Sequence, residues 1–486
     1  MGMNKVEVIL MMGLVLGSGI AWAQNDAAQA SPPAPVPAYG QETPAGGVIE
    51  NPPISAIDLP GLEPHAAPES FLLAGLHFSE SADSNEGNEL GGSTFGFITR
   101  ALGGVTLQRL WKRYDLAVDY VGGIADYTRE GLGLQQLQQL DVDNRIHWKR
   151  GQLGIRDSFS YLPEGSFGGG SYGAGAGFGG AGLVGASAFG GQNNTFFQGT
   201  QISLGVTPRL TNLGLVDVVE ELTPKSAVTM AASYGLAHFL SDIPIAEGDN
   251  ISFIGSREYT LMAAYDRILN PKDQVALSYG YQSFDFVDVS TEFHANVIQA
   301  MYGHRVSGRM DFLISAGPQF THVSATETLF GLPFPVSADH IGLAGRMLLR
   351  YRLPKTSLSL TLQRFETDGS GIFAGSESTT GHLEATRPFG RNWDGFAFLG
   401  YAKNSRLQYA ASVVNAGSFS NGYAGVGVHR QMGRSLRVYA TYQFSELGFD
   451  TSCPIAGTSG SGCSHISNRQ IGTVGVDWTM RPIRLD

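Results

Sequence analysis

Cysteine is almost missing from this sequence: its 486 residues include only Cys453 and Cys463, both within CPIAGTSGSGC. With no histidine pair beside them, two cysteines make a poor metal site and rule out a multi-cysteine redox motif. Charge is scarce too, at 15% of residues, and the net charge of −11 weighs against nucleic acid as a partner, which selects basic stripes. Past the first 25 residues no unbroken apolar run reaches the ~18 residues of a membrane-spanning helix, so a bundle of such helices is excluded. Motifs for a resident cofactor are absent in any usable context. The eleven histidines are scattered from His65 to His465 without a close pair on one face, so no metal or cofactor is expected.

The N-terminus carries an export signal. Lys5 precedes the apolar run ILMMGLVLGSGI, and Ala21-Trp22-Ala23 stands before Gln24. That order of charge, apolar core and small residues predicts a cleavable signal peptide over 1–23. In an exported protein, a cysteine pair closing a Gly/Ser loop reads as one local disulfide, Cys453–Cys463. Residues 24–69 are rich in Pro and Ala (SPPAPVPAYG, ENPPISAIDLPGLEP) and are expected to be a solvated periplasmic linker.

From residue 70 onwards a different rhythm takes over. Val275, Leu277, Tyr279 and Tyr281 alternate with Ala276, Ser278, Gly280 and Gln282. The same period of two recurs in Leu116, Val118, Tyr120; in Tyr259, Leu261, Tyr265; in Leu343, Met347, Leu349, Tyr351; in Phe396, Phe398; and in Val474, Val476, Trp478. Period two means strands. Short turns such as Lys112-Arg113 and Asn270-Pro271-Lys272-Asp273 alternate with longer connections, among them 163–197, 324–337, 367–377 and 406–420. Counting hairpins gives about eighteen strands, with sixteen as the alternative.

Alternating strands build either a soluble sandwich, apolar side inward, or a membrane barrel, apolar side outward. Several segments sustain the alternation over the ~9–11 residues a tilted strand needs to cross hydrocarbon. Trp111, Tyr114, Trp148, Tyr265, Tyr351, Trp393 and Trp478 sit near segment ends, as an interfacial girdle would place them. The predicted fold is therefore all-β: a transmembrane, antiparallel, up-and-down β-barrel over 70–486.

On these grounds the chain resembles the outer-membrane β-barrel (porin-like) proteins of Gram-negative bacteria, through the signal peptide, the hairpin rhythm and the final strand GTVGVDWTMRPIRLD. The resemblance implies a place in the outer membrane, contact with its lipids, insertion by the barrel-assembly machinery and a capacity for homo-oligomers. Members usually end on an aromatic residue, whereas here Trp478 is the last aromatic and a tail runs on to Asp486.

Parity assigns the pore-lining candidates. Asp115, Asp119, Asp141, Asp143, Arg145, Arg346, Arg350, Gln363, Glu384 and Arg437 alternate with the apolar set and would line a hydrated lumen. The tract from Gly165 to Gly191 matches G-x-G-x-x-G and G-x-S-x-G only by its glycine content, and is read as an external loop able to narrow the lumen. RLTNLGLVDVVEELTPKS, from Arg209 to Ser226, spaces Leu215, Val218, Val219 and Leu222 for an amphipathic helix on the inner rim. The expected function is passive diffusion of small hydrophilic solutes without catalysis. A filled or gated barrel for polymer export or surface display, and a barrel-embedded hydrolase, stand as alternatives.

Overall fold

The computed structural model describes residues 70–162 and 208–485, apart from brief loop stretches and single positions within them. The segments expected to be a signal peptide and a linker, the glycine tract and the cysteines expected to pair, Cys453 and Cys463, all lie outside the described residues. Seven long strands form the first part of the wall: β1 (Phe71–Asp83), β2 (Gly96–Leu110), β3 (Tyr114–Tyr127), β4 (Gly133–Trp148), β5 (Gly151–Leu162), β6 (Arg209–Thr223) and β7 (Ser226–Phe239). Five more follow: β8 (Ser256–Asn270), β9 (Asp273–Phe286), β10 (Thr291–Ser307), β11 (Met310–Leu329) and β12 (Leu332–Arg352). The last six are β13 (Ser357–Thr367), β14 (Ser376–Pro388), β15 (Trp393–Arg406), β16 (Ser418–Met432), β17 (Leu436–Phe449) and β18 (Ile466–Thr479).

Each strand pairs antiparallel with its chain neighbours, and β1 pairs with β18 from Gly75 opposite Thr479 to Asp83 opposite Ile471. The ladder therefore closes into an eighteen-strand barrel with no free edge, the only sheet that satisfies every backbone group in hydrocarbon. Closure is stapled from inside. His77 meets the carboxylate of its register partner Asp477, and the Ser81 and Thr473 hydroxyls lie 2.9 Å apart. Next to them Arg469 donates from Nε and Nη2 to one oxygen of Asp83, at 2.8 and 2.6 Å.

Sidedness follows from side-chain exposure. The outward parity is apolar and bare, with Leu76 61%, Leu261 57%, Leu277 58% and Val474 60% exposed. A continuous belt of that kind belongs against acyl chains, not water. The opposite parity must be interior, because there Phe239 of β7 packs with Phe419 of β16 and Leu447 of β17, strands far apart around the wall. Trp111, Tyr114, Trp148, Tyr265, Tyr351, Trp393 and Trp478 lie, half-exposed, toward the rim of short turns. Arg109 and Arg430 stack over Trp111 and Trp393 at 5.6 and 5.2 Å, and Trp148 Nε1 donates to Glu220 at 2.7 Å. Amphipathic anchoring at an interface has this form.

Three expectations are corrected. Arg209 to Ser226 is no helix: β6 runs to Thr223, turns at Pro224-Lys225 and re-enters as β7. The spacing of Leu215, Val218, Val219 and Leu222 is incidental, since Val216 and Val218 face out while Leu215, Asp217 and Val219 face in, and pairing with both β5 and β7 takes up the backbone. The connection expected over 324–337 is almost wholly strand, with Leu329 opposite Leu332 in a hairpin that outgrows its neighbour β13. Phe396 and Phe398 point inward, and the lipid-facing residues of β15 are Leu399 and Tyr401, 48% and 51% exposed.

The closure staple gives a direct test. Asp83→Ala leaves the buried Arg469 guanidinium without its carboxylate and should lower barrel stability by about 3–5 kcal/mol. The loss would be read as an earlier denaturant midpoint for the folded band on unheated gels, and Asp83→Leu with Arg469→Met should recover most of it.

Candidate functional site

The inward faces of β3 to β6 carry a band of charge. Asp115 stands opposite Arg145 in register, whereas the side chains of Asp119 and Asp141 lie outside the described residues. Arg145 Nη2 donates to Asp143 at 2.7 Å, His147 Nε2 lies 2.7 Å from Asp115, and Arg156 binds Asp217. Across the interior Arg350 donates to Asp311 at 2.7 Å, while Arg346, 3% exposed, stands opposite Gln363. Glu384 occupies the inward row of β14 opposite Phe398, and Arg437 reaches Asp394 at 3.1 Å with Asp477 opposite it in register.

The predicted lining residues thus occupy separate sectors and do not converge on one centre. Among the described residues Arg145, Arg156, Arg350, Arg437 and Arg469 each pair with an aspartate of the wall. Sequence reasoning missed Asp217, Asp311, His77 and the Asp83–Arg469 pair. Asp217 was hidden by the helix reading, and extending the two-residue parity through β6 would have exposed it. The closure partners His77–Asp477 and Asp83–Arg469 join opposite ends of the chain and carry no local sequence signal.

From β1 back to β14 the inner wall is tiled with rings. His77, Tyr439, His429 and Phe396 follow one another at centroid distances of 5.7, 5.9 and 5.4 Å. Phe398, Tyr423 and His382 continue the row at 6.0 to 6.2 Å. Glycine makes this possible. Phe396, Phe398, Tyr423 and Tyr439 stand in register with Gly427, Gly425, Gly400 and Gly475, and each ring lies over its glycine where a Cβ would fall within 2.0–2.4 Å of ring atoms. Phe396 and Phe398 are apolar because they roof glycines. Their alternation mimics a lipid-facing pair without being one.

At the long-loop end the interior changes character. The β13–β14 connection (368–375) and the β15–β16 connection (407–417) fold inward and zip together, with Ala374 N donating to Ala411 O at 2.8 Å and Val413 N to Ile372 O at 3.0 Å. Ile254 N ties the β7–β8 connection to the same loop through Gly371 O at 2.8 Å. Ile372, Phe373 and Ala374 are all fully buried. They and their neighbours pack against wall residues Phe239, Phe284, Phe293, Val323, Phe419 and Leu447, contributed by strands from β7 to β17. The result is an apolar plug packed against the β7–β17 side of the mouth. The narrowing was expected from the glycine tract; among the described residues other loops build it. Below the plug, the inward carboxamides of Asn404 and Asn421 and the hydroxyl of Ser378 have no hydrogen-bond partner.

No family model and no curated protein sequence matches the chain. Among solved structures it is similar to OccK2 (OpdF) of Pseudomonas aeruginosa, at 10% identity over 84% of this chain and 97% of that one, with a TM-score of 0.40. The outer membrane protein OpdK of P. aeruginosa gives 9% identity over 84% and 98%, with a TM-score of 0.38. OccK2 in complex with glucuronate gives 11% identity over 85% and 98%, with a TM-score of 0.40. The assignment rests on this chain's own geometry: an eighteen-strand closed ladder, apolar outside, polar inside and girdled by aromatics, is an outer-membrane barrel of porin-like architecture.

Gly371 controls the seating of the plug. Its φ is +76°, and an added Cβ would lie 2.4 Å from the Phe239 ring. Gly371→Val should unseat 368–375 and leave the wall intact, seen as faster limited proteolysis within that loop and an unchanged folded band on unheated gels.

Proposed function

We propose that this protein is a passive outer-membrane channel for small hydrophilic solutes, without catalysis, whose conductance is controlled at the external mouth by the apolar loop plug. The observation that supports the reading is the contrast within one interior: a wall bearing paired charges along β3 to β6 and, at the long-loop end, an apolar cluster built by inward-folded loops. Because inward arginines are paired with acids, the channel is expected to discriminate weakly between small cations and anions.

The reading agrees with insertion by the barrel-assembly machinery and with lipid contact along the belt.

Planar bilayers test it. The unmodified protein should give rare or small steps. Ile372→Asp with Phe373→Asp wets the plug and should give large, persistent steps whose reversal potential in a salt gradient stays near zero. Silence from the doubly substituted protein, while its folded band is intact, would remove the channel reading in favour of a filled barrel.

A further inference from the structure

The loop that supplies half of the plug also presents an outward face. Leu407 to Ala410 form a turn closed by Ala410 N donating to Leu407 O at 3.1 Å, and Tyr409 occupies its third position with φ +62°. A type II turn demands this left-handed backbone there, and glycine or asparagine normally supplies it. Tyr409 is the only non-glycine residue with positive φ among the described residues. Holding a tyrosine so costs about 1–2 kcal/mol relative to glycine. Its ring is not repaid by burial, since it is 41% exposed.

The ring borders a cavity of about 540 Å³ between this loop and the tops of β10 and β11. That volume lies within the range of small-molecule sites, ~300–1,000 Å³. Arg406, Gln408, Thr291 and Thr326 contribute the polar lining, and Leu407 part of the apolar lining. Arg406 is exposed and makes no ion pair among the described residues. Tyr409, half-exposed, thus shares one cavity with a guanidinium, a carboxamide and two threonines.

We propose that this cavity is an external capture site for a pyranose sugar, with Tyr409 as its stacking face. A pyranose has one surface of C–H groups, which suits the electron-rich face of an aromatic ring, and a rim of hydroxyls that both donate and accept. Arg406 and the Gln408 amide donate to that rim, and the Gln408 carbonyl accepts from it. The threonine hydroxyls do both. An acyl chain would leave these groups unpaired, and a simple inorganic anion would make no use of the ring. Since 407–417 is zipped to 368–375, a sugar seated here sits on the plug's own scaffold.

The site stands independently of conduction, so equilibrium binding tests it on the full chain in detergent micelles. By calorimetry or saturation-transfer NMR, maltotriose should bind and hexanoate should not. Tyr409→Gly suits the turn better than tyrosine and keeps the fold, yet should weaken maltotriose binding at least about tenfold, a loss of about 1.4 kcal/mol. Arg406→Gln should weaken it by a similar factor. Undiminished binding to Tyr409→Gly, equal uptake of hexanoate, or no maltotriose binding by the unmodified protein would each overturn the assignment. A silent bilayer would leave it untouched.

Discussion

The structure depends on one constraint: within hydrocarbon no peptide group can turn to water. A strand there must be paired on both edges, and a sheet of such strands must return to its own beginning. Here the return is the β1–β18 ladder. The inward staples beside it, from His77–Asp477 to Asp83–Arg469, hold the first and last strands in one register. A one-residue slip would turn every lipid-facing side chain of the strand into the lumen.

Closure divides the side chains into two populations with different chemistry. The outward set need only be apolar, and its variety of Leu, Val, Tyr and Met shows how little else is asked of it. The inward set is more constrained. Paired charges hold β3 to β6 together, rings on glycines surface β14 to β18, and the external end is greasy again where loops meet. An inward phenylalanine is thus no contradiction in a polar lumen, because Phe396 and Phe398 fill the space that Gly427 and Gly425 leave on the neighbouring strand.

The plug and the cavity above it are two faces of one device. Three connections, from β7–β8, β13–β14 and β15–β16, meet over the interior through backbone hydrogen bonds and share their apolar residues below. Glycines at 369, 371 and 375, all with positive φ, let the chain bend tightly enough to enter the mouth. Above, the same scaffold carries Tyr409 in a conformation glycine would adopt more cheaply.

The sequence alone determined the fold class, the strand number to within two and the sidedness of most strands, because lipid on one side and water on the other write a period of two directly into residues such as Val275 to Gln282. It also located the aromatic rim, for Trp111, Trp148 and Trp393 lie half-exposed near the short turns. Where that parity blurred, the reading failed: β6 has apolar residues on both faces and imitated a helical stripe, and Phe396 and Phe398 imitated a lipid face. Only the tertiary structure decided which charges pair across strands, which strands meet at closure and which loops enter the mouth. Those contacts join residues tens to hundreds of positions apart, and local patterning, which records only what each strand faces, contains no term for them.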